Sequence, residues 1–188
     1  EKITFHKSVH TIGDYAFEGC QKLNDVYLPN SVKNAGNYAF ANCTSLSNFV
    51  FEDVDNGDAP YTIGTHFFDG CTAMTQVILP NSMAVHPDEK LTITHLSNLN
   101  AAIPSYMFAN TGIVHAVIPE RISDLYTMGV FYNCKNLPNI TLPSGLETLG
   151  ASCFENCTAL KEVTVPVDHE VNAFYGCSSV ETLVYTSG

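Results

Sequence analysis

The chain has 188 residues, 45% hydrophobic and 14% charged, with eight Lys plus Arg against nineteen Asp plus Glu and a formal net charge of −11. That supplies apolar material for a continuous core, while so acidic a balance cannot neutralise phosphates, which excludes nucleic-acid binding and attraction to anionic membranes. No run of residues approaches the roughly 18 apolar positions that a membrane-spanning helix needs, so membrane insertion by this segment is excluded too.

In chain order, residues 3–13 (Ile-Thr-Phe-His-Lys-Ser-Val-His-Thr-Ile-Gly) align without a gap on residues 26–36 (Val-Tyr-Leu-Pro-Asn-Ser-Val-Lys-Asn-Ala-Gly). The chain is therefore expected to start inside a repeat and to be a fragment of a longer polypeptide. Residues 15–29 carry the cleanest copy, and its Phe17/Cys20 pair recurs as Phe40/Cys43, Phe68/Cys71, Phe108/Thr111, Phe131/Cys134, Phe154/Cys157 and Phe174/Cys177. The regular spacing, 23 residues as from Phe17 to Phe40, is the signature of a solenoid. Each repeat holds a three-residue alternation, as in Val26-Tyr27-Leu28-Pro29 and Ile140-Thr141-Leu142-Pro143, which marks a short half-buried strand that the Pro ends. Aligning these predicts parallel strands at 3–5, 26–28, 49–51, 77–79, 91–93, 116–118, 140–142, 163–165 and 183–185, stacked at ~4.8 Å per step.

Between strands, the Phe-x-x-Cys segment reads as one or two helical turns. The residue before the Cys position is Gly19, Asn42, Gly70, Asn110, Asn133, Asn156 and Gly176, always one of the two types that enter the left-handed region cheaply. Two stretches break the period. Residues 52–61 lengthen one coil, with Asn56-Gly57 placed as a hairpin turn. Residues 80–102 are irregular, and the strands at 77–79 and 91–93 imply a coil shrunk to fourteen residues.

The pattern Ile-Gly-x-x-Ala-Phe-x-x-Cys-x-x-Leu-x-x-Val-x-Leu-Pro, nearly complete at 12–29 and recurring at 35–51, 63–80 and 149–166, resembles the BspA-like, or type-5, leucine-rich repeat. The resemblance covers residues 1–188 as a single domain. It implies an α/β leucine-rich-repeat solenoid with one short parallel strand per coil and short helical turns on the opposite face. It also implies a secreted or cell-surface, non-enzymatic module of the kind found in bacterial adhesins, whose partner is a host extracellular-matrix or cell-surface protein.

Sites with chemistry of their own are sparse. Six of the seven cysteines sit at one position of successive coils and read as small buried hydrophobes; the seventh, Cys153, replaces the Ala of the Tyr-Ala-Phe unit. Cys153 and Cys157 lack a second pair at zinc-finger spacing. Asp53, Asp55 and Asp58 cluster in one loop and suggest calcium, but Gly57 and Asp58 fall where an EF-hand needs an oxygen ligand followed by Gly, so a solvated acidic turn is the expectation. The seven His are dispersed, and no serine elbow, phosphate loop or metalloprotease helix occurs, which leaves no catalytic residue and no cofactor to name. Of three Asn-x-Thr sequons, two fall on the turn residues Asn42 and Asn156.

The strand residues that point away from the core form two rows. One is polar and includes His115. The other (Thr4, Tyr27, Val50, Ile78, Thr92, Val117, Thr141, Thr164, Val184) is almost wholly β-branched. Strand propensity alone favours such residues, yet a contiguous semi-apolar platform is also what partner sites look like. Tyr27, Val50, Ile78, His115 and Val117 are the expected ligand contacts. A passive spacer is the alternative, as is glycan stacking on Tyr61, Tyr132 or Tyr175, although the aromatic residues show no clustered pattern in the sequence.

Overall fold

Three sides make up each regular coil, and a different feature of the sequence dictates each one. The computed structural model describes residues 1–52, 61–78, 91–93, 103–118, 120, 122, 124–125, 127–165 and 172–185. Asp53, Asp55, Asp58 and most of the irregular stretch at 80–102 lie outside them.

The first two sides are strands. β1 (Lys2–Thr4), β2 (Thr11–Ile12), β3 (Asp25–Leu28), β4 (Asn34–Ala35), β5 (Asn48–Phe51) and β6 (Tyr61–Ile63) alternate between two sheets, odd numbers in one and even in the other. In the first sheet the alternation holds as read: Val26 and Leu28 are buried while Tyr27 is exposed, and Lys2, Asp25 and Asn48 lie in strict parallel register. Farther along come β7 (Gln76–Ile78), β8 (Leu91–Ile93), β9 (His115–Val117), β10 (Asp124–Leu125), β11 (Asn139–Ile140), β12 (Thr148–Leu149), β13 (Glu162–Val165) and β14 (Thr182–Tyr185), where β7–β9, β11–β13–β14 and β10–β12 form three further sheets, all parallel.

The second sheet was not legible, because a two-residue strand is too short to show a period. Its trace in the sequence is one buried apolar residue before the corner, Ile12, Ala35 or Ile63, and backbone bonds to the neighbouring coil hold it in place.

The reading of 91–93 as a further parallel strand fails. Gln76 pairs directly with His115 and Ile78 with Val117, whereas Leu91–Ile93 runs antiparallel to β6, with Thr92 opposite Thr62. Leu91–Ile93 therefore closes no fourteen-residue coil on β7; it joins the second sheet at β6. Alternation identifies a strand but not its partner, which is why the sequence misplaced it.

The third side corrects the helical turns: no helix is present among the described residues. In the turn at 15–20, the N–H groups of Ala16, Glu18 and Cys20 bond three residues back, while those of Tyr15, Phe17 and Gly19 donate to Asn37, Ala39 and Ala41 of the next coil at 2.8–2.9 Å. A helix would keep every donor for itself; here alternate donors cross to the neighbour, so the turns stack as a third ladder. Two left-handed residues four apart in each of the first six turns make this possible. The second is the Gly or Asn noted above, with positive φ at all seven positions.

Inside, Phe68, Phe108, Phe131, Phe154 and Phe174 form a face-to-face column with centroids 5.4–5.8 Å apart. Phe17 and Phe40 continue it at 5.0 Å. Between Phe40 and Phe68 the column is replaced by edge contacts among Phe40, Phe49, Phe67 and Phe68, beside the coil that the 52–61 insertion lengthens. Leu23, Leu46, Leu137 and Leu160 line the adjacent wall.

The cysteines are part of this architecture rather than of any chemistry. Cys43, Cys71, Cys134, Cys157 and Cys177 each donate the thiol to the Phe carbonyl of an earlier coil at 2.9–3.2 Å, so the column uses a small apolar residue that also satisfies a buried acceptor. Burial pushes the Cys43 thiol from 9.0 up to about 11 and raises Cys71 and Cys153 as well. A raised folded-state pKa favours the native state below the unfolded value and loses that contribution as pH climbs through the folded one. Stability is therefore expected to fall between about pH 9 and pH 11, checked by urea unfolding across that range. At neutral pH a thiol reagent should modify exposed Cys20 rapidly and leave Cys43, Cys71 and Cys153 protected until the chain unfolds.

Candidate functional site

The odd-numbered strands carry the outward row to the surface. Tyr27 is 41% exposed and Val50 42%, directly opposite each other in the ladder, with Thr4 beside Tyr27. His115 is exposed at the start of β9, paired with Gln76. Ile78 and Val117 face each other in register, their side chains lying outside the described set. Thr92 leaves the row with β8. Thr141, Thr164 and Val184 extend it on the last strands, all exposed.

The Tyr27 phenol lies close to Glu52, whose Oε2 accepts the Asn30 amide at 2.8 Å just past the strand end. Loss of solvent around the ring, then the neighbouring Glu52 carboxylate, hold the Tyr27 hydroxyl above its ordinary pKa. A half-exposed Tyr offers a large apolar contact area with a polar tip. The polar row alongside is also tied across strands: the Asn48 amide donates to the Asp25 carboxylate at 3.1 Å.

Sequence reasoning missed a second surface feature on the turn side. Tyr15, Tyr38, His66 and Tyr106 stack ring on ring, with centroids 5.1, 4.3 and 4.6 Å apart, and Tyr106 meets Tyr132 edge-on at 5.9 Å. The aromatics are thus clustered in space. The signal was there in the aromatic residue two places before Phe17, Phe40, Phe68 and Phe108. Of the residues considered for sugar stacking, Tyr132 ends this strip, Tyr175 is exposed, and the Tyr61 side chain lies outside the described residues.

Among the described residues no group of three His, Cys, Asp or Glu is placed to hold a metal ion, and no helix is long and apolar enough to cross a membrane.

Comparison with known proteins agrees with this architecture. The family model for the BspA type leucine rich repeat region matches residues 1–101 and 101–188, in six copies. No curated protein matches. A T. pallidum leucine-rich repeat protein of known structure is similar at a TM-score of 0.70 and 26% identity, over 90% of this chain and 71% of that one. A leucine rich cell surface protein from Faecalibacterium prausnitzii is similar at 0.52 and 18%, over 98% of this chain and 53% of the other. The pneumococcal vaccine antigen PcpA is similar at 0.58 and 17%, over 93% and 42%. This chain thus spans about half the length of the latter two. With the repeat matched along the whole chain, the protein belongs to the BspA-type leucine-rich repeat family.

Proposed function

We propose that residues 1–188 act as one non-enzymatic, extracellular protein-binding module, part of a bacterial surface adhesin that recognises a host matrix or cell-surface protein through the first sheet. The observation that carries this reading is the outward row, in which Tyr27 and Val50 stand exposed and in register on adjacent strands. Repeat solenoids offer such surfaces because identical positions on successive coils align into a long platform. The −11 charge favours partners with basic patches and resists non-specific nucleic-acid binding.

The test is binding of the purified chain to an array of host matrix proteins, cell-surface proteins and glycans, with Tyr27→Asp/Val50→Asp alongside. Saturable binding should fall at least about tenfold in the variant, as expected when central contacts acquire unpaired charge, while its melting transition stays put. Absence of binding throughout would favour a spacer that holds another domain away from the surface. Binding that the variant keeps would move the site off the sheet.

A further inference from the structure

Four aromatic rings stand where a tight turn ordinarily places Gly, Asn or Asp. Tyr15, Tyr38, His66 and Tyr106 occupy the first left-handed position of successive turns, with φ of 56–60°. That region is strained for a bulky side chain. The fold does not demand aromatics there, since Gly129 and Ser152 fill the same position in later coils, also at positive φ. Tyr15 is 54% exposed, and the other three are partly so. Stacking takes up both ring faces of Tyr38 and His66, so these two present their edges outward. The strip closes where Gly129 makes room, because a Cβ there would lie within 2.5 Å of Tyr106 Cδ1.

Carboxylates border the strip. Glu18, Asp69 and Glu155 sit three residues after left-handed positions, and the turn segments 14–19, 37–42, 65–70, 105–110, 128–133 and 151–156 contain no Lys or Arg. Burial, then Tyr15, Asp69 and Glu18, raise the Tyr38 phenol; burial, then Glu155, Tyr132 and Asp69, raise that of Tyr106. The carboxylates are therefore within electrostatic reach of the rings. Two of them are also bonded: Asp69 accepts from His66 Nδ1 at 2.7 Å and from Asn110 Nδ2 at 2.8 Å, and Glu18 from Asn42 Nδ2 at 3.5 Å.

We infer that this strip is a second binding edge, separate from the sheet face, for an extended basic segment of a partner protein, with Lys or Arg side chains pairing with Glu18, Asp69 and Glu155 across the tyrosine edges. Charge complementarity selects the occupant. Spacing agrees: Glu18 and Asp69 are two coils apart and Asp69 and Glu155 three, or ~10 Å and ~14 Å at ~4.8 Å per coil. An extended chain covers those distances in about three and four residues. A sugar is disfavoured along the middle of the strip, where both ring faces of Tyr38 and His66 are taken by neighbouring rings.

The probe is a fluorescein-labelled peptide, Arg-Gly-Gly-Arg-Gly-Gly-Gly-Arg, titrated against the whole 188-residue chain by polarisation. Saturable binding is expected that weakens with added salt and falls at least about tenfold in Glu18→Gln/Asp69→Asn/Glu155→Gln. The pair Glu18→Gln/Glu155→Gln leaves the His66–Asp69 contact intact and should show an intermediate loss. Glu147→Gln/Glu162→Gln/Glu181→Gln, with the same change in net charge, should bind normally, as should Tyr27→Asp/Val50→Asp. Lack of saturation, or equal loss in the Glu147/Glu162/Glu181 control, would overturn the inference, as would binding of chitohexaose in place of the peptide. None of these outcomes bears on the sheet-face reading, which has its own variant.

Discussion

Phe131→Ala is expected to destabilise the chain by about 3–5 kcal/mol, read as a lower midpoint of urea unfolding. Phe131 is fully buried and stacks on Phe108 at 5.5 Å and Phe154 at 5.4 Å. Its removal leaves a cavity between coils and strips two ring contacts, each worth roughly 0.5–1.5 kcal/mol beyond burial. Two bonds to the following coil run through the same residue: its N–H donates to the Cys153 carbonyl and its own carbonyl accepts the Cys157 thiol. Because each coil is stable through its neighbours, the loss falls on the interfaces that join the two halves of the stack. Phe174→Ala, at a half-buried ring with one stacked neighbour among the described residues, should cost distinctly less. Equal costs for the two would show that the column is not what couples the coils.

Gly64→Ala is expected to be nearly as damaging, and Gly13→Ala close to neutral, although the two residues occupy the same position of the repeat. A Cβ on Gly64 would press on the Asn37 amide nitrogen and come within 2.5 Å of the Gly36 carbonyl carbon, whereas nothing lies within 4 Å of one on Gly13. Backbone cannot step aside as a side-chain tip can, so the coils must part at that corner, at a cost of about 1–3 kcal/mol or more. Comparing the melting transitions of the two variants isolates close approach between coils from the intrinsic freedom of Gly. Similar shifts in both would mean that backbone entropy, not contact, explains the corner glycine.

How much was legible follows from which features repeat within a coil and which arise between coils. The strands at 26–28 and 163–165 were readable because alternation and a terminating Pro are local marks. The left-handed positions were readable because Gly and Asn share one conformational property. Helical turns were a wrong reading of a correct observation: Phe-x-x-Cys puts Phe and Cys on one side of a helix or of a double turn alike, and the choice is made by carbonyls such as that of Ala39, 22 residues away from Phe17. The antiparallel placement of Leu91–Ile93 and the second sheet likewise depend on partners distant in sequence. On the candidate site, Tyr27, Val50 and His115 were found at the surface as expected. The turn-side ring strip was overlooked because each Tyr was read as part of the motif that positions its Phe, and stacking across coils has no signature within one repeat.

The crossing of backbone donors from each coil to the next has a mechanical consequence. In both sheets and in the turn ladder, the bonds between coils lie along the axis of the stack. Tension applied between the first and last coils would load them one interface at a time, as in a zip, rather than all at once in shear. The module would lengthen under modest force in discrete steps, each freeing one coil of 23 residues, the Lys2-to-Asp25 interval, or on the order of 80 Å of extended chain. A tether built this way yields gradually and re-forms from the coils that remain, which blunts sudden loads on whatever it holds.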